Sequence, residues 1–147
     1  MRIFGHPVHP MLVHFPIAFW TAATLAYGWA AWDASELATT LAKLANGAGL
    51  GLATLAMLAG LLELRSIDSR SDAMGVATWH MMVMATVWTC FLLALLLSVS
   101  TGFDQATVRL GEAACAALGF ILMALGGWLG GRLVYEFGVA VRKDAVS

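Results

Sequence analysis

The sequence predicts an all-α fold, an integral membrane four-helix bundle with both termini in the cytoplasm, and three observations predict it. Of 147 residues, 61% are hydrophobic and only 12% charged, about half the charged share of a domain that water wets on every side. The charged residues leave four uninterrupted runs, Ile3 to Trp32, Leu44 to Leu62, Ala73 to Phe103 and Ala113 to Gly131, of 19 to 31 residues each. A hydrocarbon core of about 30 Å needs roughly 20 helical residues at about 1.5 Å rise, so each run is long enough to cross. Third, lysine and arginine are unequally divided. Arg2, Arg65, Arg70, Arg132, Arg142 and Lys143 fall on the side that holds both termini, against Lys43 and Arg109 on the other, which places the termini in the cytoplasm.

Taken in order, the first helix is expected over about residues 11–32. It is entered through His6-Pro7-Val8-His9-Pro10, where each residue before a proline is biased toward extended conformations. The run is too long for the apolar region of a cleaved signal peptide and reads as a retained span. The second helix is expected over 44–64, bounded by Lys43 and Glu63; the third over 74–99, after the charged loop ending at Asp72; the fourth over 110–136. No stretch between them exceeds about a dozen residues, so residues 1–147 form one four-span domain with no room for a soluble one. Trp29, Trp32 and Phe103 are candidate anchors at the far interface, which carries Asp33, Glu36, Asp104 and Glu112.

Helices in lipid associate through close backbone approach, so small residues four apart mark contact faces. Ala18, Ala22, Ala26 and Ala30 form such a line in the first helix, with His14 continuing it inward. Gly49, Ala53, Ala56 and Gly60 form one in the second, with Glu63 beyond. Gly111, Cys115, Gly119, Met123, Gly127 and Gly131 form one in the fourth, ending at an inward Tyr135.

Polar groups gather at the cytoplasmic end: His6, His9 and His14, then Glu63 and Arg65, His80, and Trp128, Arg132, Tyr135 and Glu136. Ionisable residues at membrane depth are costly and are candidates for function. His14 and His80 each lie about 10 Å inside their helix starts, and paired imidazoles on facing helices suit a haem iron or a transition metal. They are the leading ligand pair. His6 and His9 are further metal candidates, about 9 Å apart if the strap is polyproline. Arg65 and Arg132, with Arg70, are candidate partners for haem propionates, and Trp128 and Tyr135 for the rest of a cofactor pocket. Pro16 would free the Leu12 carbonyl beside His14. The alternative role for each histidine is a structural hydrogen bond, and Arg132 and Glu136, four apart, can simply pair with each other. Cys90 and Cys115 lack metal or disulfide spacing, and eight scattered basic residues with a net charge of −1 exclude a nucleic-acid grip.

HPVHPMLVHFPIAFW at the start, WHMM in the third helix and GWLGGRLVYEFGVAV at the end resemble an uncharacterised bacterial membrane family, domain of unknown function 2231, over His6 to Val141. The resemblance implies a four-helix inner-membrane protein whose relatives occur alone or joined to Rieske or cytochrome c modules. It places motif positions at His6, Pro7, His9, Pro10, His14, Pro16, His80, Gly127, Trp128, Gly130, Gly131, Tyr135 and Gly138. Family members commonly carry Asn where this chain has Val83, which removes one polar partner from the third helix.

The expected function is therefore an inner-membrane redox or accessory subunit binding haem b or a metal near the cytoplasmic face. Its partners would be the bilayer and either other membrane redox subunits or further copies of itself. No nucleophile, acid–base pair or phosphate loop stands out, so no autonomous catalysis is expected. A cofactor-free structural subunit and a small ion or proton transporter are the rivals, the second opposed by a far leaflet with few ionisable groups.

Overall fold

A computed structural model describes the backbone of residues 2–3, 6–100, 108 and 110–141, and the side chains of 7–98, 108 and 110–141. Two short strands, β1 (Arg2–Ile3) and β2 (His6–Pro7), pair antiparallel, Arg2 opposite Pro7 and Ile3 opposite His6. A short helix α1 (Val8–Leu12) leads almost directly into α2 (His14–Asp33). Then come α3 (Glu36–Leu64), α4 (Asp72–Ser100) and α5 (Leu110–Tyr135). Four helical stretches are long and apolar enough to cross a membrane, the first of them Val8–Asp33. Bulky apolar residues such as Trp32, Leu110 and Leu25 are 92%, 82% and 71% exposed, which only a lipid surround makes tolerable.

Two helix starts differ from the sequence reading. The first helix begins at Val8, not 11, and takes in His9 and Pro10. Only His6 and Pro7 are extended, Pro7 with φ −70° and ψ 128°. Pro10 falls in the first turn, where its missing N–H would have had no helical partner, so the helix accepts it. Pro16 likewise sits in the first turn of α2, and Val13 joins the two helices by bonding to the His9 carbonyl at 3.1 Å and accepting from Ile17 at 3.3 Å.

The second span begins at Glu36, not 44. Ala34, left-handed at φ 47°, ends α2 with its N–H on the Ala30 carbonyl. Ser35 then caps α3, its hydroxyl accepting from the Ala38 N–H and its carbonyl from Thr39. Glu36 occupies the first turn, where its charge opposes the helix dipole. Charged residues are good helix formers, so Glu36 and Lys43 do not interrupt the helix as they interrupt the apolar run. At the other turn Ser71 caps α4 toward the Met74 N–H. Gly138, at φ 63°, turns the chain back after α5 while Val139 donates to the Leu133 carbonyl.

Six threonine hydroxyls inside the spans are satisfied within their own helices. Thr21, Thr24, Thr54, Thr78, Thr86 and Thr89 each donate to the carbonyl four residues back, at 2.7–2.9 Å.

The buried face of α2 is Pro16, Trp20, Ala23, Ala26, Tyr27 and Ala30, so the predicted alanine line faces inward at Ala26 and Ala30 but is exposed at Ala18 and Ala22. The α3 line of Gly49, Ala53, Ala56 and Gly60 does face inward. In α5 the inward line is Glu112, Ala116, Gly119, Met123, Gly126, Leu129 and Leu133, which keeps Gly119 and Met123 of the predicted line and leaves Gly111 and Gly127 exposed. Glycine works here opposite a ring: a Cβ on Gly49 would lie 2.6 Å from Trp20, and one on Gly119 2.9 Å from Phe91. The two rings they seat stack on each other, centroids 4.6 Å apart and planes 3° from parallel.

The two halves of the chain carry one burial pattern in duplicate. His9, Trp20, Ala23 and Tyr27 correspond to His80, Phe91, Ala94 and Ser98, 71 residues on. Asn46, Gly49, Ala56 and Gly60 of α3 correspond to Ala116, Gly119, Gly126 and Gly130 of α5, 70 residues on. Pro16, Trp20, Ala23 and Tyr27 are buried and so are their counterparts; the same holds for 42, 46, 49, 53, 56 and 59 and theirs. Two hairpins, α1–α2–α3 and α4–α5, thus repeat one packing scheme. Equivalent rings meet across the seam between them, as a pseudo-two-fold axis along the bundle requires.

Candidate functional site

The seam joins two histidines near one end of the bundle. His9, carried inward by the early start of α1, places Nδ1 2.7 Å from the Ala56 carbonyl of α3. His80 of α4 places Nδ1 2.9 Å from the Gly126 carbonyl of α5. A carbonyl oxygen only accepts, so Nδ1 carries a proton in both rings, and a neutral ring held this way presents its lone pair at Nε2.

Each carbonyl is followed four residues later by a glycine. A Cβ on Gly60 would stand 3.0 Å from Cε1 and Nδ1 of His9, and one on Gly130 would stand 3.3 Å from Cε1 of His80. The glycines let each imidazole lie close enough to the helix to reach its carbonyl. The rings face each other with centroids 6.4 Å apart and planes 84° from parallel, one ring from each hairpin. Both are half-buried.

The structure pairs His80 with His9 and not with His14. His14 is exposed on α2. At about 100° per residue, five positions separate His9 and His14 by about 140° around a helix, so one faces away when the other faces in. The side chain of His6 lies outside the described residues.

The remaining predicted cofactor residues are not gathered around the imidazoles. Tyr135 is 89% and Trp128 60% exposed, so the end of α5 does not look inward as expected. Arg132 is committed to Glu136, with Nε 2.9 Å from both carboxylate oxygens and a further nitrogen at 2.8 Å, and it lies 5.2 Å above the Trp128 ring. These hydrogen bonds hold the Glu136 carboxyl below its ordinary range. Arg65 is exposed and lines an open groove of about 670 Å³ with Leu61, Leu64, Ile67, Ser69 and Met74 at the α3–α4 turn. Arg70 is exposed, and Glu63 is half-buried. Of the methionines beside His80, Met82 points out, while Met84 packs against Gly126, the residue whose carbonyl His80 binds.

Sequence reading missed a second polar cluster at the opposite end. Tyr27, Asn46, Ser98 and Glu112 are all at most 1% exposed, and Lys43 is 3% exposed although assigned to an aqueous flank. Asn46 donates to the Tyr27 hydroxyl at 3.2 Å and to the Phe91 carbonyl at 3.0 Å. One signal was available: Asn46 is the only asparagine in the chain and falls inside an otherwise apolar run.

Among the described residues no three histidine, cysteine or acidic side chains come together as a metal cluster. Comparisons with curated proteins and with solved structures gave no match. A family profile described as "Predicted membrane protein (DUF2231)" matches residues 5–143, a stretch that spans the histidine strap, all four long helices and the turn after α5. This chain, a multi-pass helical membrane protein, belongs to the DUF2231 family of predicted membrane proteins.

Proposed function

We propose that the bundle is a membrane redox or accessory subunit in which His9 and His80 together hold one metal centre, a haem b iron or a transition-metal ion, through their Nε2 atoms. The observation that carries this reading is the matched pair of Nδ1–H to carbonyl hydrogen bonds, one in each hairpin. A ligating histidine almost always donates its other nitrogen in this way, which fixes the tautomer and raises the basicity of the ligating one. The two rings also lie close together, with centroids 6.4 Å apart, as ligands of one centre must.

Among the described residues no third histidine, cysteine or acidic side chain joins the two imidazoles, whereas a bare zinc ion takes three or four protein ligands. A haem would need only two protein ligands, which His9 and His80 would supply. Such a group supplies one-electron transfer when bound; the chain's part is to hold the rings and exclude water. The excess of arginine and lysine at the histidine end favours the cytoplasmic face of a bacterial inner membrane for this centre, with other redox subunits or a second copy as partners.

The test is a reduced-minus-oxidised visible spectrum and metal analysis of protein purified in mild detergent after expression with ample haem. A Soret band or a stoichiometric metal that is lost in both His9→Ala and His80→Ala, and kept in His14→Ala, is the expected result. Protein that is folded yet carries neither defeats the proposal.

A further inference from the structure

At the end of the bundle remote from the imidazoles, the buried polar groups are one-sided. Asn46 spends its amide hydrogens on Tyr27 and on the Phe91 carbonyl, and Ser98 also hydrogen-bonds Tyr27. Glu112, in the first turn of α5, is one turn from Ala116, whose carbonyl stands 3.5 Å from the hydroxyl of Thr24, one turn from Tyr27 on α2. What is left over is Asn46 Oδ1 and both carboxylate oxygens of Glu112, buried and without a hydrogen bond. All three are acceptors. An unmatched acceptor in an apolar interior is expensive, and what completes this set has to be a donor or a cation.

The duplication shows that packing does not demand these groups. The counterpart of Glu112 is Ala42 and that of Asn46 is Ala116, both 0% exposed, so a small apolar residue fills either place. The polar side chains break the symmetry of the bundle at the two positions that converge on Tyr27. One carboxylate also sets the charge that would be neutralised.

We propose that Glu112 and Asn46 Oδ1, with the hydroxyls of Tyr27 and Ser98, form a binding site for a monovalent cation, H⁺ or Na⁺. Hard oxygen ligands with a single negative charge are the chemistry that such a cation takes. Among the described residues, the titratable groups buried at this end with Glu112 are Tyr27 on α2 and Lys43 on α3; the described part of α4 contributes Ser98. Lys43 has an interaction of its own. Asp33 and Glu36, on the same end, are exposed. The site is independent of the metal centre, which lies at the other end of the bundle.

The experiment uses the full chain in detergent and the apolar carbodiimide dicyclohexylcarbodiimide, which modifies a carboxyl only in its protonated form, with the modified peptide located by mass spectrometry. Glu112 is expected to be labelled near pH 5.5 and about tenfold less or lower near pH 9. Glu112→Ala, which installs the residue type found at position 42, should remain folded and lose that label. Sodium at about a hundred times its dissociation constant should cut labelling about a hundredfold if the site takes Na⁺. A response to pH alone assigns it to H⁺. Asn46→Ala should weaken the sodium protection while leaving Glu112 labelled. A Glu112 held permanently ionised against Lys43 would stay unlabelled throughout; that result, or labelling indifferent to both pH and sodium, overturns the proposal.

Discussion

Replacing Gly49 by alanine tests the packing of the bundle most directly. The new Cβ would lie 2.6 Å from Cδ1 and 2.7 Å from Nε1 of Trp20, well inside contact distance. The indole cannot easily yield, because it is 1% exposed and stacked flat on Phe91. Overpacking of this kind costs about 1–3 kcal/mol, while alanine's higher helix propensity returns about 1 kcal/mol at most. Gly51, two residues along the same helix, is exposed and has nothing within 4 Å of its Cβ position. Gly51→Ala should therefore be neutral or slightly stabilising, and the two variants should differ by about 1–3 kcal/mol. The duplication adds a second arm, since Gly119→Ala would press on Phe91 at 2.9 Å and should behave like Gly49→Ala. Denaturant titration of the three variants in one detergent, followed by tryptophan fluorescence and helical circular dichroism, measures the difference. Equal stability of Gly49→Ala and Gly51→Ala would refute the close contact between α2 and α3 on which the fold rests.

Other substitutions separate roles that the structure assigns. Asn46→Ala removes two interhelical hydrogen bonds, each worth about 0.6 kcal/mol on average in membrane bundles, and should destabilise by about 1 kcal/mol; the same denaturant titration detects it. Gly60→Val and Gly130→Val should each drive an imidazole off its carbonyl, lowering the content of any haem or metal, as read by absorbance or metal analysis, while Gly127→Val, with nothing near its Cβ, should not. The Arg132–Glu136 pair should respond to pH in one direction only. Glu136's carboxyl is held below its ordinary value near 4.5, so the contribution of the pair is present above that value and fades as the pH falls through the lowered one. Both groups sit at the surface, so Glu136→Gln should leave the unfolding midpoint at neutral pH almost unchanged.

Some of the histidine end was legible in the sequence. A histidine cluster at one end, His80 within it, and the Arg132–Glu136 pair all followed from spacing. The partner of His80 did not, because it depends on where the first helix starts. The His-Pro steps bias the chain toward extended backbone, yet Pro10 is harmless in a first turn, and the few residues gained by α1 exchange His14 for His9 as the inward ring. The polar cluster at the other end was hidden for a related reason. Lys43 and Glu112 looked like boundary charges, whereas the helices continue past them and bury both.

Length and composition alone determined that four apolar segments cross a bilayer, because a hydrocarbon slab sets the minimum run and tolerates few charges within it. Apart from the small-residue line of α3, the inward faces were decided by tertiary structure. In water a helix announces its buried side by being apolar there and polar elsewhere. In lipid both sides are apolar, so no periodicity distinguishes them. Shape decided instead: glycines at 49, 60, 119 and 130 made hollows for Trp20, His9, Phe91 and His80, and the stacking of equivalent rings brought the two halves of the chain together.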